Sequence, residues 1–200
     1  MEASFETLIA SYIENNVGIA TNFLSVALCE HLVDNILMLE ANELLQQAGI
    51  GNDNKLQQNA LVRRDTIYWL DKKHNNIHED AFFAKIDAFV LYLNQSCYAG
   101  ITDYEFHYSL YETGDFYKKH LDQFKDNASR QFSMISYLNP NWETQHGGEL
   151  QIYQTDANQT ISPTQGKMVF FKSDQLEHEV LVTHARRMSV TGWLKRWHFN

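Results

Sequence analysis

Within GDFYKKHLDQF, residues 114–124, a histidine and an aspartate stand two positions apart, as His120 and Asp122. Alternate residues of an extended segment project to the same side, so this imidazole and carboxylate can reach one ion together. A third donor follows 56 residues later at His178, which opens the strand-like run His178-Glu179-Val180. Two imidazoles and one carboxylate on one face form the donor set that suits non-haem Fe(II) and leaves coordination positions open. Arg187 comes nine residues after His178, at the start of RMSVTGWLK, where a guanidinium can grip a carboxylate with two parallel hydrogen bonds. On that strand Arg187, Ser189 and Thr191 share a face by alternation, and Trp193 is one alternation further on. The other histidines, such as His31 in a helical run, His74 and His78 in a polar stretch and His107 in a strand-like run, are read as ordinary structural residues.

These donors need a scaffold. The chain has 200 residues, enough for one full-sized domain with a substantial core, and we read residues 1–200 as one domain. Up to about residue 100 the spacing is helical. Phe5, Leu8, Ile9, Tyr12 and Ile13 fit a first helix, and a second is predicted from about Phe23 to Ala48, with Gly49 as its stop. A third runs from about Glu79 to Ser96. Residues 49–62 read as a loop leading into a strand. From residue 104 onward the pattern changes to short β-type runs (YEFHYSLY, RQFSMISYL, GGELQIY, KMVFFK, RMSVTGWLKR) punctuated by glycine and proline. Helices followed by strands predict an α+β fold, an antiparallel sandwich or barrel supported by N-terminal helices.

Charge and composition narrow the class. Sixteen Lys plus Arg against 25 Asp plus Glu give a formal charge of −9, which disfavours nucleic acid and anionic lipid as partners. Glu2, Glu6 and Glu14 fall where a signal peptide would need a basic start and an unbroken apolar core. No stretch reaches transmembrane length. The two cysteines have no CxxC spacing, so the expectation is a reduced protein in the cytoplasm.

Taken as a set, FYKKHLD, ISYLN with a tryptophan soon after, HGGELQIY, Pro163 with Gly166 and Phe170, HEV and RRMSVTGW resemble the Fe(II)- and 2-oxoglutarate-dependent dioxygenases, within them the prolyl 4-hydroxylase branch. RRDTIYWLD, residues 63–71, is similar to an Arg-x-Asp-x-Ile-x-Trp element of the HIF prolyl hydroxylases and their bacterial relatives that act on elongation factor Tu. The resemblance implies a jelly-roll (double-stranded β-helix) catalytic core at about 101–197 on helical support at about 1–100. It implies Fe(II) on His120, Asp122 and His178, and 2-oxoglutarate on Arg187 and Tyr137 with Thr191 or Ser189 assisting. Ascorbate would support activity. The activity implied is hydroxylation of a proline in a protein or peptide by dioxygen, with 2-oxoglutarate converted to succinate. Tyr117, Trp193, Arg63, Asp65, Trp69 and Arg130 would serve the substrate side, with an ion pair between Asp65 and Arg130. The competing readings are an oxygenase of a small molecule or an alkylated base, and a non-catalytic metal-binding sandwich.

Overall fold

The computed structural model describes residues 2–49, 59–123 and 127–196. Helix α1 (Glu2–Asn15) leads into a four-residue strand β1 (Val17–Ala20), then α2 (Val26–Ala41), the short β2 (Gln46–Gln47), β3 (Thr66–Trp69) and α3 (Ile77–Cys97). Apart from a short 3-10 turn at Thr144–His146, strands follow: β4 (Asp103–Tyr111), β5 (Tyr117–His120), β6 (Arg130–Tyr137), β7 (Leu150–Ile152), β8 (Gln159–Ile161), β9 (Met168–Lys172), β10 (His178–Val180) and β11 (Arg187–Lys195). These form a seven-stranded sheet in the order β1-β9-β6-β11-β4-β3-β2 and a four-stranded sheet in the order β5-β10-β7-β8. Every strand pair is antiparallel.

The large sheet is buried on both faces, and alternation assigns each side chain to one of them. Phe106, Tyr108 and Leu110 of β4 and Met188, Val190 and Leu194 of β11 pack toward the helices, among Phe5, Phe23, Phe82 and Phe89. Their neighbours on the opposite face look at the small sheet. There Val17, Ile135, Tyr137, Val169 and Phe171 meet Leu150, Ile152 and Ile161 in a second apolar cluster. The two sheets thus close on each other as a jelly roll, with the helices covering its back.

Two local readings are corrected. The second helix does not run from Phe23 to Ala48. Ser25 starts it by accepting the Leu28 N–H, and it ends at Ala41, where Asn42 bonds back to Met38 and Glu43 takes a positive φ of 56°. Leu44 and Leu45 keep the helical spacing but lie beyond that stop. The strand Val17–Ala20, unforeseen between two helices, crosses under α1 so closely that a Cβ on Gly18 would lie 2.5 Å from the Leu8 carbonyl oxygen. Most of the predicted 49–62 loop, residues 50–58, lies outside the described residues. Among the described residues no helix is long and apolar enough to cross a membrane.

Candidate active site and metal centre

His120 and His178 are directly opposed residues of the antiparallel pair β5 and β10, with ring centroids 4.3 Å apart. Each ring is oriented from behind. Nδ1 of His120 donates to the Lys118 carbonyl at 2.7 Å, and Nδ1 of His178 donates to the Leu176 carbonyl at 3.0 Å. Because a carbonyl only accepts, each ring in its neutral form carries its proton on Nδ1 and turns its Nε2 lone pair to the site. Asp122 lies two residues past His120, with Oδ1 3.4 Å from Nε2 of His120 and Oδ2 3.5 Å from Nε2 of His178. The ligand atoms of the three residues all lie within 4.8 Å of one another, and they are the one such group among the described residues.

Electrostatics suit a cation here. Burial pushes His178 down to about 4, which leaves a neutral imidazole with a free lone pair at neutral pH. Burial alone would raise Asp122, but the charge of the His178 ring once it is protonated in acid, together with the His120 ring and the Ser133 hydroxyl, outweighs it and holds the carboxyl well below the usual carboxylate range. A buried carboxylate with two outward-facing imidazole lone pairs fits one divalent iron ion.

Further into the cavity, Arg187 is 1% exposed. Its Nε donates to the Gly148 carbonyl at 2.8 Å, and its guanidinium lies 4.9 Å and 5.1 Å from the Tyr111 and Tyr137 ring centroids. Gly148 has a φ of 66°, and a Cβ there would sit 3.1 Å from Arg187 Cδ, so glycine lets the backbone come this close. Nη2 of Arg187 and the Tyr137 hydroxyl are buried and have no hydrogen-bond partner among the described residues. Burial pushes the Tyr137 phenol up to about 12, so it remains a donor. Two orphaned donors, one of them a buried cation, fit the carboxylate end of 2-oxoglutarate. Thr191 lines the same cavity and its hydroxyl is 3.2 Å from that of Ser189.

On the outer side Tyr117 stacks on His120 at 3.5 Å, and the Arg63 guanidinium sits 4.5 Å over Tyr117. Trp69 is 46% exposed and packs edge-on to His107, and its ring centroid lies 6.3 Å from that of Trp193. These residues border a cleft that reaches Asp122. The ion pair expected between Asp65 and Arg130 is not formed. Asp65, fully buried, accepts from Nε and Nη2 of Arg63 at 2.6 and 2.9 Å, while Arg130 binds Glu105 and lies 3.5 Å over the Trp193 ring. Arg63 shares a strand-like segment with Asp65 and reaches it without spanning the cleft. A double-mutant cycle on stability should therefore give a coupling of about 1 kcal/mol or more for Arg63 with Asp65, and one within about 0.5 kcal/mol of zero for Asp65 with Arg130. Urea titration of the single and double alanine variants measures both.

Sequence reasoning passed over four contributors. His107 and Tyr111 face the cavity from β4, and Ser133 and Gly148 hold Asp122 and Arg187. The signal for His107 and Tyr111 was their pairing opposite Thr191 and Arg187, which needs the β4–β11 register. His107, flanked by two tryptophans, is pushed down to about 4 by burial and by the Arg63 charge.

Comparisons with known proteins agree with this geometry. Residues 106–195 match the family described as the 2OG-Fe(II) oxygenase superfamily. A prolyl-4-hydroxylase of Pseudomonas putida superposes with a TM-score of 0.87 at 29% identity, over 97% of this chain and 100% of its own. A prolyl hydroxylase of Trichoplax adhaerens, solved with a hypoxia inducible factor oxygen degradation domain peptide fragment, reaches 0.85 over 97% of this chain and 90% of its own. At 23% identity that likeness concerns the fold alone. Prolyl 3-hydroxylase OGFOD1 of Mus musculus is 32% identical over 75 residues, 32% of this chain and 14% of its own length. The chain spans less than half the length of the curated relatives it matches. The His-Asp-His cluster and the buried arginine, set inside a jelly roll, fall within the segment that is similar to the 2OG-Fe(II) oxygenase superfamily, and prolyl hydroxylases are among the structural neighbours.

Proposed function

We propose that the protein hydroxylates a proline of a protein or peptide. Fe(II) is held by His120, Asp122 and His178, and the distal carboxylate of 2-oxoglutarate by Arg187 and Tyr137, with Thr191 beside it. When bound, iron and 2-oxoglutarate supply the oxidation by dioxygen that inserts one oxygen atom into a C–H bond and releases succinate and carbon dioxide. The chain's own residues do the rest. Nδ1–H bonds to the Lys118 and Leu176 carbonyls keep both imidazoles aimed at the ion, and Arg187 fixes the cosubstrate at its far end. Tyr117, Trp69 and Trp193 border the cleft at which a peptide would arrive, with Arg63, Asp65 and Arg130 fixing its walls.

The observation that carries the reading is the pair of orphaned donors, Arg187 Nη2 and Tyr137 Oη, buried in one cavity with the three metal-binding side chains. The choice of a peptidyl proline is supported by the likeness to the P. putida prolyl-4-hydroxylase, which takes in the helical layer as well as the sheets. Elongation factor Tu is the target we favour, in a cytoplasmic setting and with ascorbate as a supporting reductant. Hydroxylation at the 4-position is the first reading, and the OGFOD1 likeness gives the 3-position as the second.

Purified protein given Fe(II), ascorbate and labelled 2-oxoglutarate should release succinate several-fold faster with a matching proline peptide than without one. Mass spectrometry and amino-acid analysis of the peptide then distinguish 4- from 3-hydroxyproline. Succinate release that responds only to small molecules, with no peptide gaining 16 Da, would remove the protein-substrate reading.

A further inference from the structure

The two histidines of the metal cluster are held by strand register, because His120 and His178 are paired residues of β5 and β10. Asp122 is different. It lies two residues beyond the end of β5, where no ladder hydrogen bond fixes it. A carboxylate in that position can swing or turn both oxygens onto the ion, which would close a coordination position the reaction must keep open.

We infer that Ser133 and Ser173 form a hydroxyl relay that positions Asp122 for one-oxygen ligation. The inference rests on the reading of His120, Asp122 and His178 as the iron ligands. Ser133 Oγ donates to Asp122 Oδ2 at 2.6 Å, a length typical of a hydroxyl bonded to a charged carboxylate. Ser133 and Ser173 Oγ atoms are 3.0 Å apart. Since Ser133 spends its single proton on Asp122, it must accept from Ser173, so the direction of the relay is set: Ser173 to Ser133 to Asp122. Both serines are almost completely buried, at 1% and 0% exposure; Ser133 lies on β6, and Ser173 directly follows β9, its neighbour in the large sheet. A hydroxyl buried this deeply is costly unless its bonds are made, and here they are made to the metal-binding carboxylate.

The backbone repeats the connection. Gln123 N–H donates to the Ser173 carbonyl at 3.0 Å, Arg130 Nη1 donates to the Asp122 carbonyl at 3.3 Å, and Gln123 Nε2 donates to the Arg130 carbonyl at 2.8 Å. The segment carrying Asp122 is therefore pinned to β6 and to the end of β9, and the relay transmits that fixed position to the carboxylate. One lone pair of Oδ2 is committed to Ser133, which orients the carboxylate plane and disfavours chelation by both oxygens. Ser133 is thus a positioning residue, acting through Asp122.

Cobalt(II) binding to the whole protein under anaerobic conditions, without 2-oxoglutarate or peptide, tests this independently of turnover. Wild type should bind one Co(II), with visible absorption bands that report the ligand geometry. Ser133→Ala should weaken binding by about 10-fold and alter those bands, in the range found when an outer partner of a metal ligand is removed. Ser133→Thr, which keeps the hydroxyl, should return affinity to within about 3-fold of wild type, whereas Ser173→Ala should show a smaller loss. Circular dichroism melting of the metal-free proteins checks that all are folded. If wild type binds Co(II) and Ser133→Ala binds it equally well with the same spectrum, the relay is wrong while the ligand set stands. If Ser133→Ala does not fold, Ser133→Thr and Ser173→Ala still decide: a Thr variant as weak as a loss of ligand, or a Ser173 variant indistinguishable from wild type, overturns it. If wild type itself binds no Co(II), the ligand reading fails and the relay with it.

Discussion

Replacing Arg187 with methionine will raise the 2-oxoglutarate concentration needed for half-maximal succinate release by about 10- to 100-fold, with a smaller change in turnover at saturation. The magnitude follows from one charge-assisted hydrogen bond, that of the unpartnered Nη2, at roughly 1.5–3 kcal/mol, with about 1.4 kcal/mol per tenfold. Lysine should not rescue it. An ammonium cannot present the planar fork, and only a guanidinium can donate Nε to the Gly148 carbonyl while turning Nη2 toward a ligand. A second readout separates this from a packing role. Among the described residues no carboxylate pairs with Arg187, so the metal-free, cosubstrate-free protein carries a buried cation without a counter-charge. Methionine of similar length should leave the melting temperature of that form unchanged or higher, and should abolish the stabilisation that 2-oxoglutarate confers on wild type. An unchanged 2-oxoglutarate requirement would sink the assignment.

His178→Ala is expected to abolish iron-dependent turnover, with a loss larger than the roughly 10–100-fold carried by residues that only support a ligand. With His178 gone, the ion retains one imidazole and one carboxylate, and the position vacated is the one that pairs across the strands with His120. The neighbouring Phe171 ring, 4.8 Å away, cannot supply a donor. The control is His107→Ala. That histidine lines the same cavity and is equally buried, but it lies outside the cluster whose ligand atoms converge. Anaerobic titration with Fe(II) should show loss of binding for His178→Ala and retention for His107→Ala. Equal metal affinity in both variants would mean that the wrong histidine has been chosen.

The helices α1 and α3 could be read from spacing because their apolar residues face one core and nothing local interrupts them. The end of α2 could not. Leu44 and Leu45 continue the helical period, but backbone conformation at Asn42 and Glu43 stops the helix, and the period of side chains carries no record of that. Strand β1 is four residues long and contains Gly18, so it offers too few positions for alternation to show. Its place in the sheet is set by pairing with β9, about 150 residues away in the chain.

Sequence by itself determined the chemistry on offer. An HxD pair, a later histidine and a basic residue at the head of the next strand supply two imidazoles, one carboxylate and one guanidinium in an order that resembles a single enzyme family, and alternation already placed Arg187, Ser189 and Thr191 on one face. The tertiary structure decided which partners each group meets. It set His120 opposite His178 through the β5–β10 register, gave Asp65 to Arg63 rather than to Arg130, and brought Ser133 within 2.6 Å of Asp122. The physical reason is range. Residue type and alternation act over a few positions, whereas hydrogen bonds and ion pairs go to whichever partner the packing of two sheets brings within about 3 Å.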